Sequence, residues 1–136
     1  MVRLADLEAF VVRAKVSTYV GSGSTAESSL LGSHDFAFHS DEWLYRDSYF
    51  GGTDFLGQET VWFRAEPVWA ENYYGYILRP DLIDAVQAGL TIKAALSAMY
   101  QEGRFLGGLD WFGGYSHLTV VPCLVNGFTP RVGRRW

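Results

Sequence analysis

The chain has 136 residues, of which 49% are hydrophobic and 19% are charged, and its formal net charge is −4. This length is typical of one domain, so we expect a single domain over residues 1–136 that buries its own core. The acidic balance lacks the excess of cations that phosphate backbones require, and we therefore expect no nucleic-acid partner.

Cysteine and histidine are scarce. The single Cys123 cannot form an internal disulfide, and three histidines give no recognisable metal spacing, so we expect no metal site and a cytoplasmic location. No apolar stretch approaches the ~18 residues of a membrane span, which predicts no membrane partner. The glycine pairs at 51–52, 107–108 and 113–114 lack the context of phosphate loops, and no cofactor is expected.

The chain opens with a pattern typical of an amphipathic helix. The apolar positions recur at helical spacing in Leu4, Leu7, Phe10, Val11 and Ala14. A stretch rich in glycine and serine follows from Gly21 to Gly32 and predicts a loop, long enough to act as a lid.

Four segments of strand composition come next. They are His34–His39, Trp43–Phe50, Glu59–Arg64 and Val68–Ile77. Because the connections between them are short, the segments predict a four-stranded antiparallel meander.

A helical region then begins at Arg79-Pro80-Asp81, and Thr91 is positioned to cap a second helix that Gly103 ends. Two further strands are predicted at Arg104–Trp111 and His117–Val125. The order α-β4-α-β2/3 predicts an α+β fold in which helices cover one face of a curved antiparallel roll.

The strands are unusually aromatic, since 13 of the 22 aromatic residues lie between Phe36 and Tyr76. Aromatic walls with a few polar groups are typical of small-molecule pockets. The alternative is that these rings fill the core, with their hydroxyl groups hydrogen-bonded at its edge.

Strand alternation places one carboxyl group between two aromatic side chains on each of two strands. These sets are Tyr45, Asp47 and Tyr49, and Trp69, Glu71 and Tyr73. Apolar surroundings raise the pKa of a carboxyl group towards the range useful for general acid–base catalysis. The alternative is that these carboxylates are open to water or pair with Arg46, Arg64 or Arg104.

His34 and Asp35 open the first strand of the meander. Adjacent strand residues face opposite ways, so these two do not form a catalytic pair through adjacency. His34 is a candidate proton shuttle or a structural hydrogen-bond donor.

Much of the chain resembles a known domain family. The segments that carry the resemblance are SSLLGSHDF, YRDSYFGGTDFLGQETVW, PVWAENYYG and LDWFGGY. They are similar to an uncharacterised bacterial domain family of unknown function, which often forms the C-terminal part of helix-turn-helix transcriptional regulators. The resemblance implies a pocket and ligand sensing, but no assigned chemistry. Glu71 departs from it, because the family pattern has methionine there.

We therefore expect a small enzyme, free of cofactors, that cyclises, dehydrates or isomerises an aromatic or polyketide-like molecule. The alternative is a non-catalytic module that binds or senses such a ligand. Glu71 and Asp47 would form the acid–base pair, with His34 assisting. The expected substrate-binding residues are Tyr45, Tyr49, Glu59, Trp62, Trp69, Asn72, Tyr73 and Trp111. A small-molecule ligand is the expected partner, and a homodimer is possible.

Overall fold

The structure is a computed structural model that describes residues 2–19, 21, 25–103, 110–113, 116–119 and 123–124, the last three ranges as backbone alone. These residues form α1 (Leu4–Ser17), β1 (Thr25–Ala26), β2 (His34–Ser40), β3 (Trp43–Gly51), β4 (Phe55–Phe63), β5 (Glu66–Gly75), α2 (Ala85–Gln101), β6 (Asp110–Gly113), β7 (Ser116–Thr119) and β8 (Cys123–Leu124).

The main sheet has six antiparallel strands in the order β1-β2-β3-β4-β5-β8, and β6 pairs with β7 separately. The predicted meander is confirmed as β2 to β5, and the α+β class is confirmed. Two strands begin earlier than predicted, β4 at Phe55 and β5 at Glu66. The segment from Phe55 to Gln58 continues β4, because it pairs with β3 on one side and β5 on the other.

Helix α1 covers one face of this sheet, which we call the inner face. Leu7, Phe10, Val11 and Ala14 are all buried, as the predicted apolar stripe requires. The Phe10 ring lies 5.0 Å from that of Trp43 on β3. Burial of these side chains stabilises the packing of helix on sheet by about 1.5–3 kcal/mol for each large residue.

The helical region after β5 differs from the prediction. The prediction that a separate helix begins at Thr91 is wrong, because one continuous helix, α2, runs from Ala85 to Gln101. Asp84 caps it instead: its carboxylate accepts from the Gln87 backbone N–H, and the Gln87 side chain accepts from the Asp84 N–H. The Thr91 hydroxyl donates to the Gln87 carbonyl inside the helix.

The predicted loop at residues 21–32 contains the short strand β1, which pairs with β2. Ser29, just beyond β1, donates a hydrogen bond to Asp35 on the outer face of the sheet. Of the predicted strand Arg104–Trp111, residues 104–109 lie outside the described residues, and β6 begins at Asp110. Of the predicted strand His117–Val125, the structure describes the parts in β7 and β8, and residues 120–122 and 125 lie outside the described residues.

No helix within the described ranges is long and apolar enough to cross a membrane.

Candidate active site

Three carboxyl groups lie side by side on the inner face, one on each of three neighbouring strands. Asp47 of β3 pairs in register with Glu59 of β4, and Glu59 pairs with Glu71 of β5. Their exposed fractions are 4%, 7% and 7%. Since isolated buried carboxylates are costly, this row must bind a cation or retain protons.

The cation is Lys15, which reaches the carboxyl row from helix α1. Its Nζ lies 2.6 Å from Glu59 Oε2 and donates to Glu71 Oε1 at 3.0 Å, with the lysine side chain 5% exposed. Sequence analysis missed this residue. The signal that could have found it is its position four residues after Val11 on the buried stripe of α1.

The arginine partners that we considered for Asp47 and Glu71 are elsewhere. Arg46 binds Asp35 on the outer face, and Arg64 binds Glu42 in a hairpin turn. Arg104 lies outside the described residues. Neither Arg46 nor Arg64 therefore neutralises Asp47 or Glu71, and the alternative that they do so is wrong.

One ammonium group cannot neutralise three carboxylates, and the pKa values of Lys15, Asp47 and Glu71 are all raised. Burial would lower the pKa of Lys15, but Glu59 and Glu71 outweigh it and hold this pKa well above its ordinary value. Burial, aided by Glu59, raises the pKa of Asp47 to about 7. Burial likewise raises the pKa of Glu71 to about 7, although Lys15 opposes the shift. Asp47 and Glu71 can therefore exchange protons near neutral pH.

Asp47 has a second distinctive neighbour, the phenol of Tyr73. The Tyr73 hydroxyl donates to Asp47 Oδ1 at 2.6 Å. Burial and the Asp47 carboxylate raise the pKa of Tyr73 far above its ordinary value, so this phenol keeps its proton. Among the described residues Tyr73 is the only hydrogen-bond partner of Asp47, which leaves Oδ2 available.

Tyr73 reaches Asp47 by crossing an entire strand, because β5 and β3 are separated by β4. The crossing passes over Gly57, which pairs in register with both Tyr49 and Tyr73. A Cβ at Gly57 would lie 2.5 Å from Tyr73 Cζ and 2.7 Å from Tyr49 Cβ. Only glycine leaves room for this hydrogen bond.

We expect Gly57→Ala to lower the free energy of unfolding by about 1–3 kcal/mol, the range for an overpacked site, and to break the bond from Tyr73 to Asp47. Urea unfolding measures the first effect and the Tyr73 ring signals in NMR the second. Gly89→Ala on α2 is the matched control, since its added Cβ meets nothing within 4 Å. That change should stabilise the protein by up to about 1 kcal/mol. A neutral Gly57→Ala would contradict the steric account.

Beyond the end of α1, the inner face continues as a set of partly exposed rings that we call the aromatic rim. Its members are Tyr19, Phe36, Tyr49, Phe55 and Tyr73. Phe36 stacks on Tyr49 with ring centroids 6.2 Å apart, and Phe55 lies 6.1 Å from Tyr73. The rim adjoins Asp47, because Phe36 pairs in register with Asp47 and Tyr49 lies two residues further along β3.

The structure places the other predicted site residues in three different settings. Tyr45 and Trp69 are 1% and 0% exposed and form part of the core under α1. His34 is exposed at the edge of the rim, its ring 5.1 Å from that of Tyr49. Trp111 lies on β6, where the structure describes only the backbone.

Trp62 and Asn72 lie on the outer face, away from the carboxyl row. Each is an odd number of residues from a member of the row on its own strand, Glu59 or Glu71, so strand alternation turns it outward. Asn72 accepts from Gln58 there, and Trp62 lines an open depression near the hairpin turns. The structure therefore does not bring these two together with Asp47.

The outer face has its own buried carboxyl group, Asp35. Burial opposes its ionisation, but hydrogen bonds from Ser33, Ser48, Ser29 and Arg46 hold the pKa of Asp35 well below its usual range. With every bond satisfied locally, Asp35 anchors residues 28–33 to the sheet.

Among the described residues no group of three His, Cys, Asp or Glu side chains could hold a metal ion. Lys15 occupies the space between Glu59 and Glu71. What the arrangement can do chemically is accept and return a proton at Asp47.

Fold and site together define an α+β protein with a buried carboxyl–lysine cluster beside an aromatic surface. A family model for a domain of unknown function, DUF5680, matches residues 47–125, and the chain belongs to this family. The match includes the three carboxyl residues and begins after α1, so Lys15 lies outside it. No curated protein and no solved structure matches the chain.

Proposed function

We propose that the protein is a small acid–base catalyst that works without a cofactor. A planar small molecule lies on the aromatic rim, and Asp47 removes a proton from it and returns the proton at another position. This chemistry suits a cyclisation, dehydration or isomerisation of an aromatic or polyketide-like compound. Holding such a molecule in a reactive geometry lowers the barrier further by several kcal/mol.

The observation that carries the proposal is the state of the Asp47 carboxyl group. It is 4% exposed, Tyr73 occupies Oδ1, and its pKa is raised to about 7. General catalysis is most efficient when the pKa of the group lies near the working pH. Asp47 also adjoins the rim, whereas Glu71 is bound to Lys15.

The roles of the other carboxyl residues follow from their partners. Glu71 and Glu59 share Lys15, and both favour a proton on Asp47 through their negative charge. We therefore assign the proton transfer to Asp47 and the tuning of its pKa to Glu59 and Glu71. His34, at the edge of the rim, is a candidate relay to solvent.

The proposal is tested with 5-nitrobenzisoxazole, a planar probe. A base takes its ring C–H proton, the electron pair left on carbon forms the nitrile, and the N–O bond breaks to give a coloured phenolate. We expect the protein to accelerate this reaction, with a rate that rises with pH around a midpoint of about 7, since only ionised Asp47 is a base. A rate no greater than that of acetate at equal concentration would contradict the proposal.

A second candidate function is ligand binding without catalysis. It is favoured by the ion pairs of Lys15 with Glu59 and Glu71, whose side chains are 5–9% exposed, because such a sealed cluster can serve packing alone. The resemblance to domains attached to helix-turn-helix regulators also points to sensing, in the cytoplasm. In this case the rim would bind planar molecules, and the benzisoxazole probe would not react.

A further inference from the structure

Once Asp47 and Glu71 are ionised, the carboxyl row carries more negative than positive charge. Lys15 binds Glu59 and Glu71, and no described cation forms an ion pair with Asp47. Asp47 as a residue is 4% exposed, and among the described residues only Tyr73 donates a hydrogen bond to it, at Oδ1. When Asp47 ionises, the second oxygen, Oδ2, therefore favours a ligand that brings both a donor and a positive charge.

The aromatic rings around Asp47 also favour a positively charged ligand. Aromatic faces carry partial negative charge and attract cations, most strongly where water is excluded. Asp47 pairs with Phe36 across β2 and β3, and Tyr49 and Tyr73 follow in the next row of the inner face. At the edge of the rim, the Lys93 ammonium already lies 5.3 Å from the centre of the Tyr19 ring.

We propose that the ligand of the aromatic rim is a protonated planar amine, whose N–H donates to Asp47 Oδ2 while its rings lie on Tyr49 and Tyr73. This inference rests on the proposed function only in taking the rim as the binding site. It adds the chemical class of the ligand.

Other ligand classes fit the site less well. A carboxylate or phosphate would approach Asp47, Glu59 and Glu71 together, and one lysine does not offset three carboxyl groups. A neutral alcohol could donate to Oδ2 but would gain nothing from the negative faces of the rim.

The test compares three probes of one shape at pH 8, where Asp47 is ionised: 2-naphthylmethylammonium, 2-naphthylmethanol and 2-naphthoate. Binding is followed by calorimetry and by the ring signals of Tyr49 and Tyr73 in NMR. We expect the ammonium probe to bind at least about tenfold more tightly than the alcohol, the combined effect of the charged hydrogen bond and the rings. The naphthoate should bind most weakly.

Asp47→Asn should remove the preference for the ammonium probe, and Glu42→Gln, an exposed charge in the turn between β2 and β3, should preserve it. Equal affinities in the wild-type protein, or tighter binding of naphthoate, would overturn the inference without need of a variant. So would a preference that survives in Asp47→Asn.

The two proposals fail in different ways. If the protein turns over benzisoxazole but binds the three probes equally, the proposal of acid–base catalysis stands and the proposal of an amine ligand is refuted. Selective amine binding without turnover would support the amine and refute the catalyst.

Discussion

Replacing Lys15 by methionine is expected to destabilise the protein by about 3–5 kcal/mol at pH 8, the range for removing one partner of a buried ion pair. Methionine fits the volume of the lysine stem but leaves Glu59 and Glu71 without their cation. Because their side chains are 9% and 8% exposed, water cannot take its place. Urea unfolding measures the change.

The stability lost in Lys15→Met should be smaller at pH 5.5 than at pH 8, because protonation of the carboxyl groups removes their unpaired charge. Without Lys15 the pKa of Glu71 rises further above its ordinary value, so the folded state binds protons that the unfolded state has lost. Stability of the variant therefore falls as pH rises through this window. Lys93→Met, at an exposed site on α2, is the control and should cost no more than about 1 kcal/mol, the contribution of its exposed contact with the Tyr19 ring.

A compensated variant tests whether unpaired charge is the cause. Adding Glu59→Gln and Glu71→Met to Lys15→Met removes both stranded carboxylates and should recover most of the loss, since uncharged replacements of buried ion pairs are often neutral. A Lys15→Met protein that loses less than about 1 kcal/mol at pH 8 would show that the cluster is not held by this ion pair.

Replacing Asp47 by asparagine is expected to lower benzisoxazole turnover by about 10²–10⁴-fold, the contribution of one proton-transfer group. The amide keeps the shape of the side chain and an oxygen for the Tyr73 hydroxyl, but it cannot accept a proton. Glu42→Gln removes an exposed carboxylate instead and should leave turnover unchanged.

Changes at the neighbouring carboxyl groups should act differently. Glu59 is the main electrostatic cause of the raised pKa of Asp47, and Glu71 acts in the same direction more weakly. Glu59→Gln should therefore move the midpoint of the rate profile to lower pH without abolishing turnover, and Glu71→Gln should move it less. An activity that disappears in Glu71→Gln and persists in Asp47→Asn would reverse the assignment.

Much of this site can be predicted from the sequence, because side chains alternate strictly between the two faces of a strand. This alternation predicted that Asp47 lies with Tyr45 and Tyr49, and that Glu71 lies with Trp69 and Tyr73. The same rule, applied to Glu59, separates it from Trp62, three residues away. Our grouping of Trp62 and Asn72 with the inner residues overlooked that parity.

Other features of the site depend on tertiary pairing that one sequence does not reveal. The row of Asp47, Glu59 and Glu71 requires the register of three strands, which shifts at a bulge between Val61 and Trp62. Lys15 lies 44 residues from Glu59 along the chain, and a lysine on a helix is normally read as exposed. The crossing of Tyr73 over Gly57 likewise arises only when β3, β4 and β5 are side by side.

The role proposed for Asp47 requires its carboxyl group to exchange a proton near neutral pH. The most direct measurement is the NMR chemical shift of its carboxyl carbon, followed from pH 3 to pH 9 in protein labelled at aspartate. We expect a main transition with a midpoint of about 7. A single transition near the ordinary aspartate value of about 4 would contradict it.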